Sequence, residues 1–184
     1  MAARETVILD QPAISRALTR IAHEILERNK GPKDVALVGV VRGGDHLARF
    51  LQQRILEIEG VELPLGTVDI TMYRDDLASR GSLPVGKTEL LFPLENKRIV
   101  LVDDVLFTGR TIRSAMDALM DIGRPQSIQL AILVDRGHRE LPIRPDYIGR
   151  NVPTSVTEKI AVQFNENREP VEVRVTKPRN DKIV

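Results

Sequence analysis

Apolar residues recur in this chain with two alternating periods. Ile14, Leu18, Ile21 and Ile25 follow one another at helical spacing, with Ala17 and Ala22 beside them. That spacing predicts an amphipathic helix over 11–29, opened by Asp10 as N-cap and stopped by Gly31-Pro32. Residues 35–41 form a near-continuous apolar run, the pattern of a strand covered on both faces. Arg42-Gly43-Gly44 makes a tight turn, and Leu47, Phe50, Leu51, Ile55 and Ile58 restore helical spacing over 45–59. A turn region is expected over 60–67 and further strands over 67–73, 98–102 and 127–134. Ile112, Ala115, Leu119 and Ile122 predict a helix over 111–122, ended by Gly123. The stretch 74–94 is rich in charge, Gly, Pro and Ser. Its length suits a mobile functional loop or a poorly ordered hairpin. Beyond 134, short strand-like pieces alternate with turns at Pro142, Pro145, Pro153, Pro170 and Pro178. Strands alternating with helices imply an α/β fold around a mostly parallel sheet. No repeat or linker divides the chain, so a single domain over 1–184 is expected.

Composition narrows the function classes. Apolar residues make up 42% of the 184 residues and aromatics only 3%, so the core must be aliphatic. The absence of cysteine excludes disulfides, thiolate metal sites and a cysteine nucleophile, and it fits a cytoplasmic protein. The first ten residues lack the apolar centre of a signal peptide, and no apolar run reaches the roughly 20 residues of a membrane span. Net charge is +1, so bulk attraction to nucleic acid is weak. RNA binding would need basic residues gathered on one face.

The candidate chemistry follows the strand at 98–102. Asp103-Asp104 stands at its carboxyl end, where ligands bind in such sheets. Adjacent carboxylates repel, and ribose hydroxyls or a Mg²⁺ shared with a sugar would relieve them. Val105, Leu106 and Phe107 lead to Thr108-Gly109-Arg110-Thr111 at the start of the next helix. Helix N-termini favour phosphate, Gly109 permits close backbone approach, and the threonines add hydroxyl donors. A diol site beside a monophosphate site has the shape of a phosphorylated ribose. No Walker-type phosphate loop is present. Each piece alone is an ordinary strand end or helix cap.

The run 103–111 resembles the phosphoribosyl pyrophosphate (PRPP) signature of type I phosphoribosyltransferases. It is more specifically similar to the bifunctional pyrimidine operon regulator and uracil phosphoribosyltransferase family. Residues 18–24, 69–77, 133–144 and 151–155 extend the likeness over about residues 6–162. The resemblance implies a central, mostly parallel sheet flanked by helices, with a small hood and a flexible lid loop at about 74–94. It implies conversion of uracil and PRPP to UMP and pyrophosphate, with Mg²⁺ accompanying PRPP and held only indirectly by Asp103 and Asp104. Arg74 is the candidate to meet pyrophosphate, with a solvated loop cation as the alternative. Arg42 and Gly43 belong to the pyrophosphate loop, although the resembled family carries Thr-Arg-Gly there and this chain has its arginine one place earlier. Phe107 replaces a tyrosine found in many members. Asp135 and Arg136 are expected beside the base. No residue stands out as a general base.

The same resemblance implies UMP-promoted binding to a stem-loop in pyrimidine operon leader RNA, giving transcription attenuation. On the first helix Arg16, Arg20 and His23 share a face, with Thr19 and Arg28 nearby. His138, Arg139, Arg144 and Lys159 complete the basic candidates. A merely solvated polar face is the plain alternative, since Glu24 and Glu27 interleave. His23, His46 and His138 have no metal-ligand spacing. Two other readings stay open: an enzyme without an RNA role, and an RNA-binding nucleotide sensor with little catalysis. The resemblance also implies a homodimer or larger assembly.

Overall fold

The computed structural model describes residues 4–73 and 88–178. β1 (Arg4–Asp10) leads into α1 (Gln11–Asn29), β2 (Val35–Val41), α2 (Gly44–Glu59) and β3 (Leu65–Asp69). Next come β4 (Arg98–Leu106), α3 (Arg110–Ile122), β5 (Ser127–Asp135) and β6 (Tyr147–Asn151). β7 (Lys159–Phe164) and β8 (Pro170–Lys177) close the described chain.

Five parallel strands form the central sheet in the order β3-β2-β4-β5-β6. Successive side chains of a strand point to opposite faces. Leu37, Val100, Val102 and Leu133 therefore pack with α1 and α2, while Val38, Ile99, Leu101 and Ile132 pack with α3. A separate antiparallel sheet, β1-β8-β7, forms the hood.

Local chemistry explains the element ends. The Asp10 carboxylate accepts the Ala13 amide at 2.9 Å, capping α1, and Lys30 ends that helix with a left-handed φ of 57°. Inside, Asn29, Gln129 and Tyr147 form a buried polar network. Asn29 Nδ2 donates to Gln129 Oε1 at 3.0 Å, Gln129 Nε2 donates back to Asn29 Oδ1 at 2.9 Å, and Tyr147 Oη donates to Gln129 Oε1 at 2.7 Å. The network ties α1 to β5 and β6. Asn29→Ala should cost about 2–3 kcal/mol, because it strands the Gln129 amide, as denaturant melts would read.

Three expectations need correction, and one strand was not expected. Residues 4–10 form a hood strand that the sequence pattern left unassigned. The strand expected over 67–73 runs instead over Leu65–Asp69, so it begins inside the expected turn and ends early. The Asp69 carboxylate takes the Thr71 amide at 2.7 Å and the Ile70 carbonyl takes that of Tyr73 at 2.9 Å, curling the chain into a 3-10 turn. β4 continues past Val102 to Leu106, because Asp103, Val105 and Leu106 still pair with β5. Within the expected lid, residues 88–94 are docked: Glu89 exchanges two 2.9 Å backbone bonds with Thr67, and Leu94 is buried. The rest of the expected lid, residues 74–87 with Arg74, lies outside the described residues. No helix among the described residues is long and apolar enough to cross a membrane.

Candidate active site

The chain leaves β2 toward β3 on one side of the sheet and leaves β4 toward β5 on the other. A crevice opens between strands whose connections diverge in this way, beyond their carboxyl ends. The turn Arg42-Gly43-Gly44 lies on one side of it and the end of β4 on the other. The Val41–Arg42 peptide is cis. Gly43 has φ 101°, and a Cβ there would stand 2.6 Å from Asp104 Oδ2. A Cβ on Gly44 would stand 2.2 Å from the Val102 carbonyl oxygen, and one on Gly39 2.3 Å from Asp45 Cα. Gly43 and Gly44 thus let the start of α2 sit directly on the acidic end of β4, and Gly39 lets it sit on β2.

Asp103 is buried and Asp104 half-buried. The Asp104 amide donates to Asp103 Oδ1 at 2.9 Å, and the Val105 amide to Asp104 Oδ1 at 2.7 Å. Those two bonds do not offset burial. Desolvation first, then the neighbouring charge of Asp104, pushes the Asp103 carboxyl well above the usual range. Asp104 is raised as well, chiefly by burial, and the carboxylate of Asp45 pushes both upward. The protein's own donors therefore satisfy the ionised forms of the pair poorly. Hydroxyl donors or a cation carried in by a substrate would suit it.

Phe107 and Thr108 lead from β4 into α3, with Gly109 turning the chain at φ 94°. The Arg110 amide donates to Thr108 Oγ1 at 3.3 Å, and Thr111 stands in the first turn of α3. The Arg110 guanidinium pairs with Glu140 at 2.7 Å. Val105 and Leu106 belong to β4, where Leu106 is buried. The loop after β5 wraps this turn. The amides of Glu140 and Leu141 both donate to the Thr108 carbonyl, at 2.9 and 3.2 Å.

A cleft of about 360 Å³ adjoins the loop, lined by Asp135, Arg136, Gly137, His138, Asn151 and Thr154 among others. Two of the expected contact residues are committed within the protein. Asp135 accepts the Gly137 amide at 3.0 Å through one oxygen and Arg139 at 2.6 Å through the other. Arg136 is buried, stacks over Phe107 at 4.1 Å and donates to Thr154 Oγ1 and to the carbonyls of Ser155 and Glu158. It ties the 154–158 segment, which leads into the hood, to Phe107 at the end of β4. Phe107 also meets the His138 ring edge-on at 5.8 Å.

The basic candidates fall into separate groups. Thr19, Arg20, His23 and Arg28 lie along α1, where Arg20, His23 and Arg28 are exposed. Arg20 pairs with Glu24 and donates to the carbonyls of Ile148 and Gly149 in β6, at 3.1 and 2.8 Å. Arg28 pairs with Asp146 at 2.6 Å. His138 and Arg139 border the cleft, Arg144 is exposed just before β6, and Lys159 opens β7. Sequence reasoning missed Asp45, whose place in the first turn after a glycine loop was the available signal. It also missed Asn151 and Thr154 as lining residues, since they come from a distant segment.

The sequence profile described as "Phosphoribosyl transferase domain" matches residues 5–167. Among similar proteins, a "Bifunctional protein PyrR" of a Geobacter species is 64% identical over 176 residues, covering 95% of this chain and 99% of that one. A protein of the same name from Geobacter sulfurreducens is 65% identical over 173 residues, covering 94% and 98%. Another from Listeria welshimeri is 55% identical over 167 residues, covering 89% and 91%. Two solved structures are similar in fold. A hypoxanthine phosphoribosyltransferase from Trypanosoma cruzi superposes with a TM-score of 0.73 at 20% identity, covering 96% of each chain. One from Staphylococcus aureus gives 0.69 at 21% identity, covering 94% of this chain and 93% of that one. With an acidic strand end facing a glycine turn and a phosphate-type helix start beside it, the chain belongs to the phosphoribosyl transferase domain family, and within it to the bifunctional PyrR proteins.

Proposed function

We propose that the protein transfers a phosphoribosyl group from PRPP to uracil, giving UMP and pyrophosphate, and regulates pyrimidine genes by UMP-dependent binding to their leader RNA. The observation that carries the catalytic half is the convergence of Gly43, Asp103, Asp104 and the start of α3 at one crevice. The Thr108–Thr111 turn holds the 5′-phosphate by backbone amides and hydroxyls. Asp103 and Asp104 accept the ribose hydroxyls, which supply donors where burial has raised both carboxyls. As the bond to pyrophosphate breaks, the anomeric carbon gains positive charge and the acidic pair stabilises it. Mg²⁺ carried with PRPP suits this donor set: Asp103 and Asp104 would hold it only indirectly, through the substrate, and among the described residues no three ligands gather to cage a metal. When bound, that ion neutralises the leaving pyrophosphate. Arg42 and Gly43 border the pyrophosphate position, and Arg74 is assigned to meet pyrophosphate from the lid. The cleft at Asp135–His138 takes uracil, with backbone groups reading its edge.

The RNA role rests on the exposed polar face of α1 and on Arg144, His138 and Lys159. Such cations make binding salt-dependent, while Thr19 and His23 offer polar contacts to loop bases. Arg20 and Arg28 already brace β6, so RNA reaches their remaining donors. Two measurements decide between the halves. Incubating the protein with PRPP, Mg²⁺ and a panel of nucleobases should yield UMP from uracil in preference to purine nucleotides. Gel shifts with a pyrimidine leader stem-loop should tighten on adding UMP. His23→Ala should weaken that RNA complex by about fivefold or more, leaving UMP formation unchanged. Preference for a purine would defeat the uracil assignment. Failure of any leader RNA to bind at moderate salt would remove the regulatory half.

A further inference from the structure

The segment after β5 grips the carbonyl side of the phosphate turn. Arg139 donates from one terminal nitrogen to the Phe107 carbonyl at 2.9 Å, from the other to Asp135 Oδ2 at 2.6 Å, and from Nε to the Ile143 carbonyl at 2.9 Å. The next two residues continue the grip, since the Glu140 and Leu141 amides both donate to the Thr108 carbonyl. Two successive carbonyls of the turn are thus held by one short strap.

A trans peptide is planar, and its C=O and the following N–H point in opposite directions. Holding the Phe107 carbonyl against Arg139 turns the Thr108 N–H away from the strap. Holding the Thr108 carbonyl against Glu140 and Leu141 does the same for the Gly109 N–H. Gly109, at φ 94°, lets the chain bend into α3 with both amides kept on that side. Two consecutive donors facing one way, beside a helix N-terminus, make an anion cradle. The charge of Arg139 is already matched by Asp135, and each of its three nitrogens donates to the protein. It acts on an anion through the backbone and not by its own field.

We infer that Arg139 is a positioning residue for the phosphate turn: it fixes the Phe107–Thr108 peptide so that backbone amides meet the ligand's 5′-phosphate. The inference rests on the proposed phosphate site at Thr108–Thr111. It separates Arg139 from Arg144 and Lys159, which have no such grip on the turn among the bonds described.

The test compares UMP with uridine, which differ only in the phosphate. Affinities are measured by calorimetry for the wild-type protein, Arg139→Gln and Arg139→Lys, with thermal melts to verify folding. The wild type should bind UMP more tightly than uridine. Arg139→Gln should lose about tenfold in UMP affinity and clearly less in uridine affinity, although Arg139 also borders the base cleft. Lysine can still reach one carbonyl but not hold three partners in a plane, so Arg139→Lys should fall between the two. Equal loss of UMP and uridine would reduce Arg139 to a general scaffold residue and overturn the inference. Unchanged UMP affinity in both variants would overturn it as well. A wild type with no preference for UMP over uridine would instead defeat the phosphate-site reading beneath it.

Discussion

Asp104→Asn should cut UMP formation by about 100-fold or more, in line with losing a charge aimed at a developing cation. The same change should make the ligand-free protein more stable at neutral pH, by about 1–2 kcal/mol. Both effects have one cause. Burial first, and then the carboxylate of Asp45, raise the Asp104 carboxyl against the hydrogen bonds that favour its charge, so the native state resists its ionisation. Well below the usual carboxylate range, folded and unfolded chains both hold the proton and no penalty exists. As pH rises, the unfolded chain ionises first, and the penalty grows until the native carboxyl also ionises. Above that point it is constant. The advantage of asparagine should therefore be full at pH 7 and shrink toward zero as pH falls through the carboxylate range. Melts of both proteins across that window, with turnover at pH 7, check the prediction. Wild-type turnover, or a stability difference independent of pH, would contradict the role given to Asp104.

Gly44→Ala should destabilise the fold by about 3 kcal/mol and depress activity with it. The added Cβ would sit 2.2 Å from the Val102 carbonyl oxygen and 2.9 Å from Asp103 Cα. Both obstacles are backbone in the middle of a paired sheet, so no side chain can swing aside. The start of α2 must lift from β4, carrying Gly43 away from Asp104. Denaturant melts and the UMP assay should fall together. Gly60→Ala is the useful control: Gly60 has a left-handed φ of 68°, but nothing lies within 4 Å of its Cβ position. Its cost should be the smaller, conformational one of about 1 kcal/mol.

The helices α1, α2 and α3 were legible because their apolar positions repeat within a single turn of chain. Ile14, Leu18, Ile21 and Ile25 are all buried, as their spacing predicts. The acidic pair and the Thr108–Thr111 turn were legible for a related reason. They are contiguous, so their order along the chain is nearly their order in space. The Leu65–Asp69 strand was misplaced because local bonds from Asp69 and Ile70 outbid the ladder, and apolar pattern carries no record of such bonds. The hood strand β1 escaped notice because its burial is slight and its partner β8 is some 160 residues away along the chain.

By itself the sequence determined the alternation of strands and helices, the aliphatic core and the phosphate-type loop, since each depends on neighbours within a few positions. Only the tertiary structure decided which charges have protein partners. Arg136, Arg139 and Asp135 are candidate ligand or RNA contacts along the chain, and the fold shows that each also bonds to protein partners. It also decided that Gly43 and Gly44 serve the close approach of α2 to β4, and Gly39 its close approach to β2. Such facts arise where segments distant in sequence meet, and the energy of a buried charge or a blocked Cβ is set by those distant atoms.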